Sequence, residues 1–559
     1  MADEPQPLTR EEIELLRPIY IGPTWQKNPD GSWLLPEHTL GWQIAGWCAE
    51  YLLAADGGPW KFTREQLRLL LWWYAVDESG RFLYRKGVLQ RMKGWGKDPL
   101  LAVMCLIELC GPSRFSHWGA AGNPVGVPHP QAWVQVTAVN QSQTTNTMSL
   151  IPSLMSDHLI KTYRVKAGAT LIRANGGRCR LEAVTSSYRA LEGKRTSFTL
   201  LNETHHWIAG NHGHQMYETI DGNATKLDSR YLAITNAHLP GEDSVGERMR
   251  EAYDKMIERR DRAGSIGVEL HAVDIGYLYD SIEAHPRTPL TKEALEIVLP
   301  KIRGDAIWLN VRTIIQSIHD TTMSMARSRR MWLNQVVADE DALYGPEDWE
   351  PLKDEELMLR AGDEIVVGFD GGKSDDSTAL IGLRLKDHAA FVLGLWESPD
   401  GPAGDGWEVN RMQVDSAVHE AFRTFRVRAM YADVALWESF ILEWESTYAE
   451  SLGVKASERS AIGWDMRQSL QRVTRAHERL VTAIFDGKIR HDGDKALKRH
   501  VLNVFRRENN YGVSFGKQSR ESKRKVDLYA ALMLAHEAMH DLRTRGKKQK
   551  PKTGRGYFL

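Results

Sequence analysis

Cysteine is scarce in this 559-residue chain. Its four residues, Cys48, Cys105, Cys110 and Cys179, form no Cys-x-x-Cys and match no Cys/His spacing of a structural zinc site. Such scattered thiols suit a reducing compartment. The longest apolar runs, 69–76 and 99–110, are too short to cross a bilayer, and the acidic opening Met-Ala-Asp-Glu-Pro is not a signal peptide. We therefore expect no membrane partner. There is no internal repeat, which excludes a solenoid. Nor is there an excess of one charge: the formal net charge is −1.

The distribution of that charge is uneven. From Asp486 onward there are 19 Lys/Arg against 8 Asp/Glu, so a basic C-terminal quarter follows a mildly acidic remainder. A basic quarter fits either a polyanion footprint or a solvated face with a disordered tail. Hydrophobic residues make up 42%, ordinary for a globular protein, and 19 Trp supply aromatic anchors. The length predicts two to four domains.

Along the chain we expect an N-terminal arm over 1–55 and an α/β domain over 56–245. A helical lid or linker over 246–360, a second α/β domain over 361–541 and a basic flexible tail over 542–559 follow. In the first α/β domain, strands are predicted at 82–89, 133–139, 198–201 and 231–235, with helices at 99–110 and 142–155. In the second, strands are predicted at 364–369, 377–385, 389–397 and 429–432, with a closing helix at 526–540.

The first chemical motif is Val88-Leu-Gln-Arg-Met-Lys-Gly-Trp-Gly-Lys-Asp98. An apolar strand runs into a Gly-containing loop that ends in Gly-Lys and opens an apolar helix. Glycines let backbone N–H groups approach phosphate, the helix N-terminus favours anions, and Lys97 reaches the β/γ-phosphates. The match departs from a full phosphate loop: Arg91 stands at the usual first glycine and Asp98 at the usual Ser/Thr. About 100 residues on, Thr196-Ser-Phe-Thr-Leu-Leu-Asn-Glu203 is an apolar strand ending in a carboxylate. Glu203 suits a base or water-positioner beside a γ-phosphate, and Asn202 stands where a metal-supporting Asp is expected. The carboxylate gained at Asp98 and lost at Asn202 suggests an exchange within one magnesium shell. Upstream, the Gln66 amide can read an adenine edge. Downstream, the polar end of Ala233-Ile-Thr-Asn236 can sense the γ-phosphate through Thr235 and Asn236. His205, His206, His212 and His214 come without cysteines or suitable carboxylates, and read as polar loop histidines in preference to a zinc site.

The second motif is a carboxylate set. Asp370 ends the strand Ile365-Val-Val-Gly-Phe-Asp370, and Asp433 ends Ala429-Met-Tyr-Ala-Asp433. Asp527 opens a helix in which Asp527, Ala531 and Ala535 share one face, small enough to pack on a sheet. Three carboxylates meeting at strand ends can hold two Mg²⁺ ions, with Asp376 a further candidate ligand. Taken singly, each Asp also fits a turn or an N-cap. Basic residues Lys498, Arg499, Arg506, Arg507 and those over 520–525 lie between Asp433 and Asp527 or beside them, suited to a phosphate backbone.

Taken in order, these parts resemble the large terminase subunit of tailed double-stranded DNA phages. The parts are Gln66, Lys93-Gly94-Trp95-Gly96-Lys97-Asp98, Leu200-Leu-Asn-Glu203, Ile234-Thr-Asn236, then Asp370, Asp433 and Asp527. The resemblance covers roughly 60–541. It implies an α/β chain with an N-terminal P-loop, ASCE-type ATPase domain, a helical lid or linker and a C-terminal RNase H-like nuclease domain. It implies ATP and Mg²⁺ as cofactors, with Mn²⁺ able to substitute in the nuclease. The implied partners are double-stranded DNA, the portal protein of a procapsid, a small terminase subunit and further copies of the chain in a ring, often a pentamer. The implied location is the cytoplasm of the infected bacterial host, with transient docking on the procapsid. The tail, with seven Lys/Arg and one acidic residue from Asp541 and an apolar tip Tyr557-Phe558-Leu559, suits the portal. Three other readings stay open. One is a DNA helicase or translocase without nuclease activity, another an RNase H-like nuclease with a vestigial ATPase domain, and the third a structural virion component.

Overall fold

The computed structural model describes residues 9–185, 191, 193–265, 276–320, 324–338, 342–372, 377–398, 406–517 and 524–545. The chain forms two units, one of residues 1–239 and 243–337, the other of 240–242 and 338–559. Asp376 and the tail from 546 lie outside the described residues.

The first unit is built on a sheet whose described strands are β1 (Ile19–Ile21), β2 (Lys86–Gln90), β3 (Trp133–Ala138), β4 (Lys166–Ala167), β5 (Leu171–Ala174), β6 (Cys179–Thr185), β7 (Phe198–Leu201), β8 (Arg230–Thr235) and β9 (Tyr277–Glu283). Their order is β1-β9-β2-β8-β7-β3-β6-β5-β4. Strands β9, β2, β8, β7, β3 and β6 run parallel, and antiparallel strands close both edges. Parallel strands covered on both faces read as continuous apolar runs. Phe-Thr-Leu-Leu in β7 and Arg-Tyr-Leu-Ala-Ile-Thr in β8 are buried at every position. Helix α1 (Arg64–Trp73) precedes β2, α2 (Lys97–Cys110) follows it, and α3 (Gln141–Leu154) follows β3. Strand β8 thus lies between the strand feeding the Gly-Lys loop and the strand feeding Glu203. This extra parallel strand defines an ASCE-type P-loop ATPase fold.

Several boundaries differ from the expectation. The segment expected as an arm contributes β1 and a helix, Gly41–Tyr51, whose Ile44, Trp47 and Cys48 enter the main core. The expected lid or linker over 246–360 is divided between the units. Its β9 pairs in parallel with β2. The helices α5 (Lys292–Arg303) and α6 (Val311–Ile318) bury their apolar faces in the same core, whereas α4 (Val245–Ser265) carries the charged stretch. Leu343, Tyr344 and Trp349 belong instead to the core of the second unit. The strand predicted at 82–89 begins only at Lys86. Phe82 is drawn off to the Arg230 guanidinium, 3.8 Å from its ring.

The second unit has a sheet of β10 (Glu364–Gly371), β11 (Thr378–Arg384), β12 (Ala389–Trp396), β13 (Arg426–Asp433), β14 (Gly463–Trp464) and β15 (Arg490–His491), in the order β14-β13-β10-β11-β12-β15. Strands β10 to β12 form an antiparallel meander, and β13 joins β10 in parallel. This is an RNase H-like fold. Helix α7 (Arg411–Thr424) precedes β13, and the helices α8 (Leu470–Phe485), α9 (Lys495–Leu502) and α10 (Asp527–Arg545) and the hairpin β16 (Phe505–Asn509) and β17 (Gly512–Gly516) follow it. Helix α10 lies on the sheet through its small residues. A Cβ at Gly368 would stand 1.9 Å from the Ala531 carbonyl oxygen and 2.6 Å from Ala535 N. No residue larger than glycine fits there unless α10 lifts off the sheet.

Candidate functional site

Gly94 and Gly96 adopt φ of 79° and 92°, a left-handed conformation open to glycine and strained for other residues, and so turn β2 tightly into α2. Lys97, the first residue of α2, is buried. Its Nζ donates to the carbonyls of Arg91 and Met92, both at 2.9 Å, and to Asn236 Oδ1 at 2.7 Å. Burial lowers its pKa to about 8, against the opposing pull of Asp98 and Glu203. Thus the lysine amine, both carboxylates and the tip of β8 share one electrostatic neighbourhood. Burial raises the Asp98 pKa; Lys97 lowers it and Glu203 adds to the rise.

Two loop residues, Arg91 and Trp95, are anchors. Arg91, buried, pairs with Asp280 of β9, and its guanidinium lies 5.2 Å from the Trp25 ring and 5.0 Å from the Trp95 ring. Trp95, a candidate for nucleotide contact, is itself buried, with Nε1 donating to Glu65 Oε2 at 3.4 Å. Lys93 is exposed, and its N–H donates to the Met331 carbonyl at 2.8 Å. Gln66 sits at the third position of α1, where its Oε1 accepts the Thr63 N–H in a capping box.

Glu203 follows β7 in the left-handed region, φ 55°, unusual for a residue other than glycine. Its Oε2 accepts from Gln143 Nε2 at 2.6 Å. Asn202 turns away into α3, donating to the Gln143 carbonyl at 3.3 Å and to Thr147 Oγ1 at 3.2 Å. The Asp98/Asn202 exchange therefore meets an obstacle. A carboxylate at 202 would lose both donated bonds and face a carbonyl oxygen.

One residue of this site escaped the motif reading. His205, expected as a polar loop histidine, is buried and bridges the two strand ends. Its Nδ1 accepts the Asn236 N–H at 3.3 Å and lies 3.1 Å from Thr235 Oγ1, which in turn accepts the His205 N–H at 3.2 Å. Burial holds its pKa well below the usual value, so the ring is neutral at pH 7. His205 is hydrogen-bonded to Asn236, Asn236 to Lys97, and Glu203 lies within electrostatic reach of that lysine. The signal for it is the parallel register of β7 and β8, which no local motif carries.

In the second unit, Phe369 pairs with Ala432, so Asp370 and Asp433 end adjacent parallel strands. By the two-residue period of a strand they share the face of Val366 and Tyr431, which pack in the core formed with α10. The C-terminal end of α10 lies toward the opposite end of the sheet, where Arg543 donates to the Leu385 carbonyl at 2.9 Å. Its N-terminal Asp527 therefore lies toward Asp370 and Asp433. Burial raises the Asp433 pKa, against the Met466 N–H, which donates to its Oδ1 at 3.2 Å. Among the described residues, no group of three or more His, Cys, Asp or Glu side chains is placed to hold a metal ion. The oxygen donor set nevertheless suits a hard divalent ion. Of the basic residues, Lys498 is paired with Glu350 at 2.6 Å and Arg499 with Glu397; Arg506 and Arg507 on β16 are exposed, and Arg507 donates to the Lys517 carbonyl.

The fold and these sites define a chain that joins an ASCE-type ATPase fold to an RNase H-like fold. No family model matches it. It is 40% identical over 580 aligned positions to the gene 13 protein of Mycobacterium phage L5, covering 94% of this chain and 95% of that protein. The gene 13 protein of Mycobacterium phage D29 is likewise 40% identical, over 597 positions, covering 96% and 97%. The chain belongs to this family of phage gene 13 proteins. Among solved structures it is similar to the HK97 bacteriophage large terminase, at 15% identity and TM-score 0.46, covering 89% of this chain and 100% of that one. It is also similar to the large terminase of a thermophilic bacteriophage, at 10% identity and TM-score 0.30, covering 86% and 99%. No described helix is long and apolar enough to cross a membrane.

Proposed function

We propose that this phage protein is a large terminase subunit: an ATPase that drives double-stranded DNA into a procapsid, joined to a metal-dependent endonuclease that cuts concatemeric DNA. What carries the reading is the pairing, in one chain, of a buried lysine beside Glu203 on an ASCE-type sheet with three aspartates at one end of an RNase H-like sheet.

In the first unit, Lys97 would hold the β- and γ-phosphates within the loop Lys93-Gly94-Trp95-Gly96, with the backbone amides of Gly94 and Gly96 around them, the Lys93 amide being engaged by the Met331 carbonyl. Glu203 would position the attacking water and Asp98 would support the magnesium that accompanies ATP. Gln66 would read the adenine through Nε2, its Oε1 being engaged with Thr63. Thr235 and Asn236, tied to His205, would carry the loss of the γ-phosphate away from the site. In the second unit, Asp370, Asp433 and Asp527 would hold Mg²⁺, with Mn²⁺ able to substitute and Asp376 a further candidate. Bound there, two such ions would activate water and stabilise the leaving oxygen of a phosphodiester. The chain's own contribution is to hold three carboxylates at one sheet end, with the exposed Arg506 in the same unit offered to a phosphate backbone. Its partners would be DNA, a portal protein, a small terminase subunit and other copies in a ring, in the host cytoplasm.

The reading is tested by coupling. Linear double-stranded DNA should raise ATP turnover severalfold, and the same preparation should cut plasmid with Mg²⁺ or Mn²⁺ but not with chelator. ATP turnover indifferent to DNA, together with intact plasmid under every metal condition, would contradict it.

A further inference from the structure

Helix α10 carries Asp527 on its first turn, where backbone N–H groups have no partner within the helix. One of them is taken by an unusual cap. The Leu528 N–H donates to His500 Nδ1 at 3.0 Å, across 28 residues of sequence. His500 is fully buried on α9. Because Nδ1 accepts, the ring proton sits on Nε2, which lies 3.0 Å from Glu397 Oε1. Glu397, just beyond β12, also receives Arg499 and, at 3.1 Å, Ser377 Oγ at the start of β11. Against its burial, His500 and Arg499 hold its carboxyl down at about 2. Three residues on from His500, Asn503 Nδ2 donates to the Lys525 carbonyl at 3.3 Å.

We propose that Ser377, Glu397, Arg499 and His500 form a positioning array that sets Asp527 against Asp370 and so tunes how tightly the nuclease site holds its divalent ions. The inference rests on the metal-site reading given above. The geometry favours this role over general packing. The array starts on the residue before β11, whose Ala379 pairs with Asp370, and it ends on the backbone N–H adjoining Asp527. It therefore links the strand pair bearing one candidate ligand to the helix bearing another. None of its members needs to touch the ion. Groups that hold ligands in place are worth about 10- to 100-fold in metal affinity.

The test uses the full-length chain without nucleotide, reading Mn²⁺ binding directly by electron paramagnetic resonance and Mg²⁺-dependent plasmid cleavage in parallel. His500→Ala should weaken Mn²⁺ binding and raise the Mg²⁺ concentration for half-maximal cleavage by about 10- to 100-fold. Its rate at saturating metal should approach that of the unchanged protein. Glu397→Gln, the milder variant, should shift both in the same direction by less. His500→Gln, which can still accept from Leu528 or donate to Glu397, should recover part of the loss. Unchanged metal affinity in both His500→Ala and Glu397→Gln, or a fall in rate equal at every metal concentration, overturns the array. If the unchanged protein neither binds Mn²⁺ nor cuts DNA, the metal-site reading fails and takes the array with it. If it does both and the variants match it, only the array fails.

Discussion

Lys97→Ala should lower ATP turnover by at least about 100-fold, the scale on which losing one fixed electrostatic partner of a transition state is felt. Arg91 cannot take over, because it is buried in its pair with Asp280. The change also strips the donor from the carbonyls of Arg91 and Met92 and from Asn236 Oδ1. Glu203→Gln should leave nucleotide binding near its normal strength while stopping turnover, since the proposed phosphate contacts would remain and the carboxylate proposed to position the water would be gone. ATP turnover and nucleotide affinity, measured side by side, check both. Ordinary turnover in either variant would remove the residue from the site. A stability signature accompanies Lys97. Its folded pKa, about 8, lies below the ordinary value of 10.5. The unfolded chain therefore binds the extra proton between those values, and folding becomes more favourable as pH rises through that window. Lys97→Ala should lose that part of the slope.

Asp370→Asn, Asp433→Asn and Asp527→Asn should each reduce DNA cleavage by at least about 100-fold and leave ATP turnover within about twofold. Each change keeps shape and removes one negative charge from the set proposed to offset divalent ions. The three sit in the second unit, whereas Lys97 and Glu203 sit in the first. For Asp433 there is a further consequence. Its carboxylate is buried, and an amide placed there is neutral, so the variant should fold at least as stably as the parent. Lost cleavage in a well-folded Asp433→Asn protein then reports on the site. Full cleavage by any of the three would remove that residue from the metal set.

The parts legible in the sequence were those written locally. An apolar strand running into Gly-Trp-Gly-Lys, strands ending in Glu203, Asp370 and Asp433, and the small face of Ala531 and Ala535 each occupy a dozen residues or fewer. The structure places those two alanines on Gly368, and it places Asp370 beside Asp433. What could not be read depends on register and on distant partners. Arg91 looked like a damaged phosphate loop until Asp280, 189 residues away, appeared beside it. His205 had no periodic context, and its bonds to Thr235 and Asn236 exist because β7 and β8 are neighbours. His500 and Glu397 are 103 residues apart, and nothing in either segment announces the other. Strand β9, Tyr-Leu-Tyr-Asp-Ser-Ile-Glu, follows the charged helix α4, whose polar pattern masks a strand of the main sheet within a stretch that reads as helical.

The central claim, that one chain both moves and cuts viral DNA, is tested most directly by packaging into purified procapsids, scored as DNA protected from added nuclease. The unchanged protein, with ATP and its portal-bearing procapsid, should protect DNA. Asp370→Asn protein should still protect linear DNA that needs no initial cut, and Lys97→Ala protein should protect none. Protection that persists with Lys97→Ala, or none with the unchanged protein despite ATP turnover, would contradict the account.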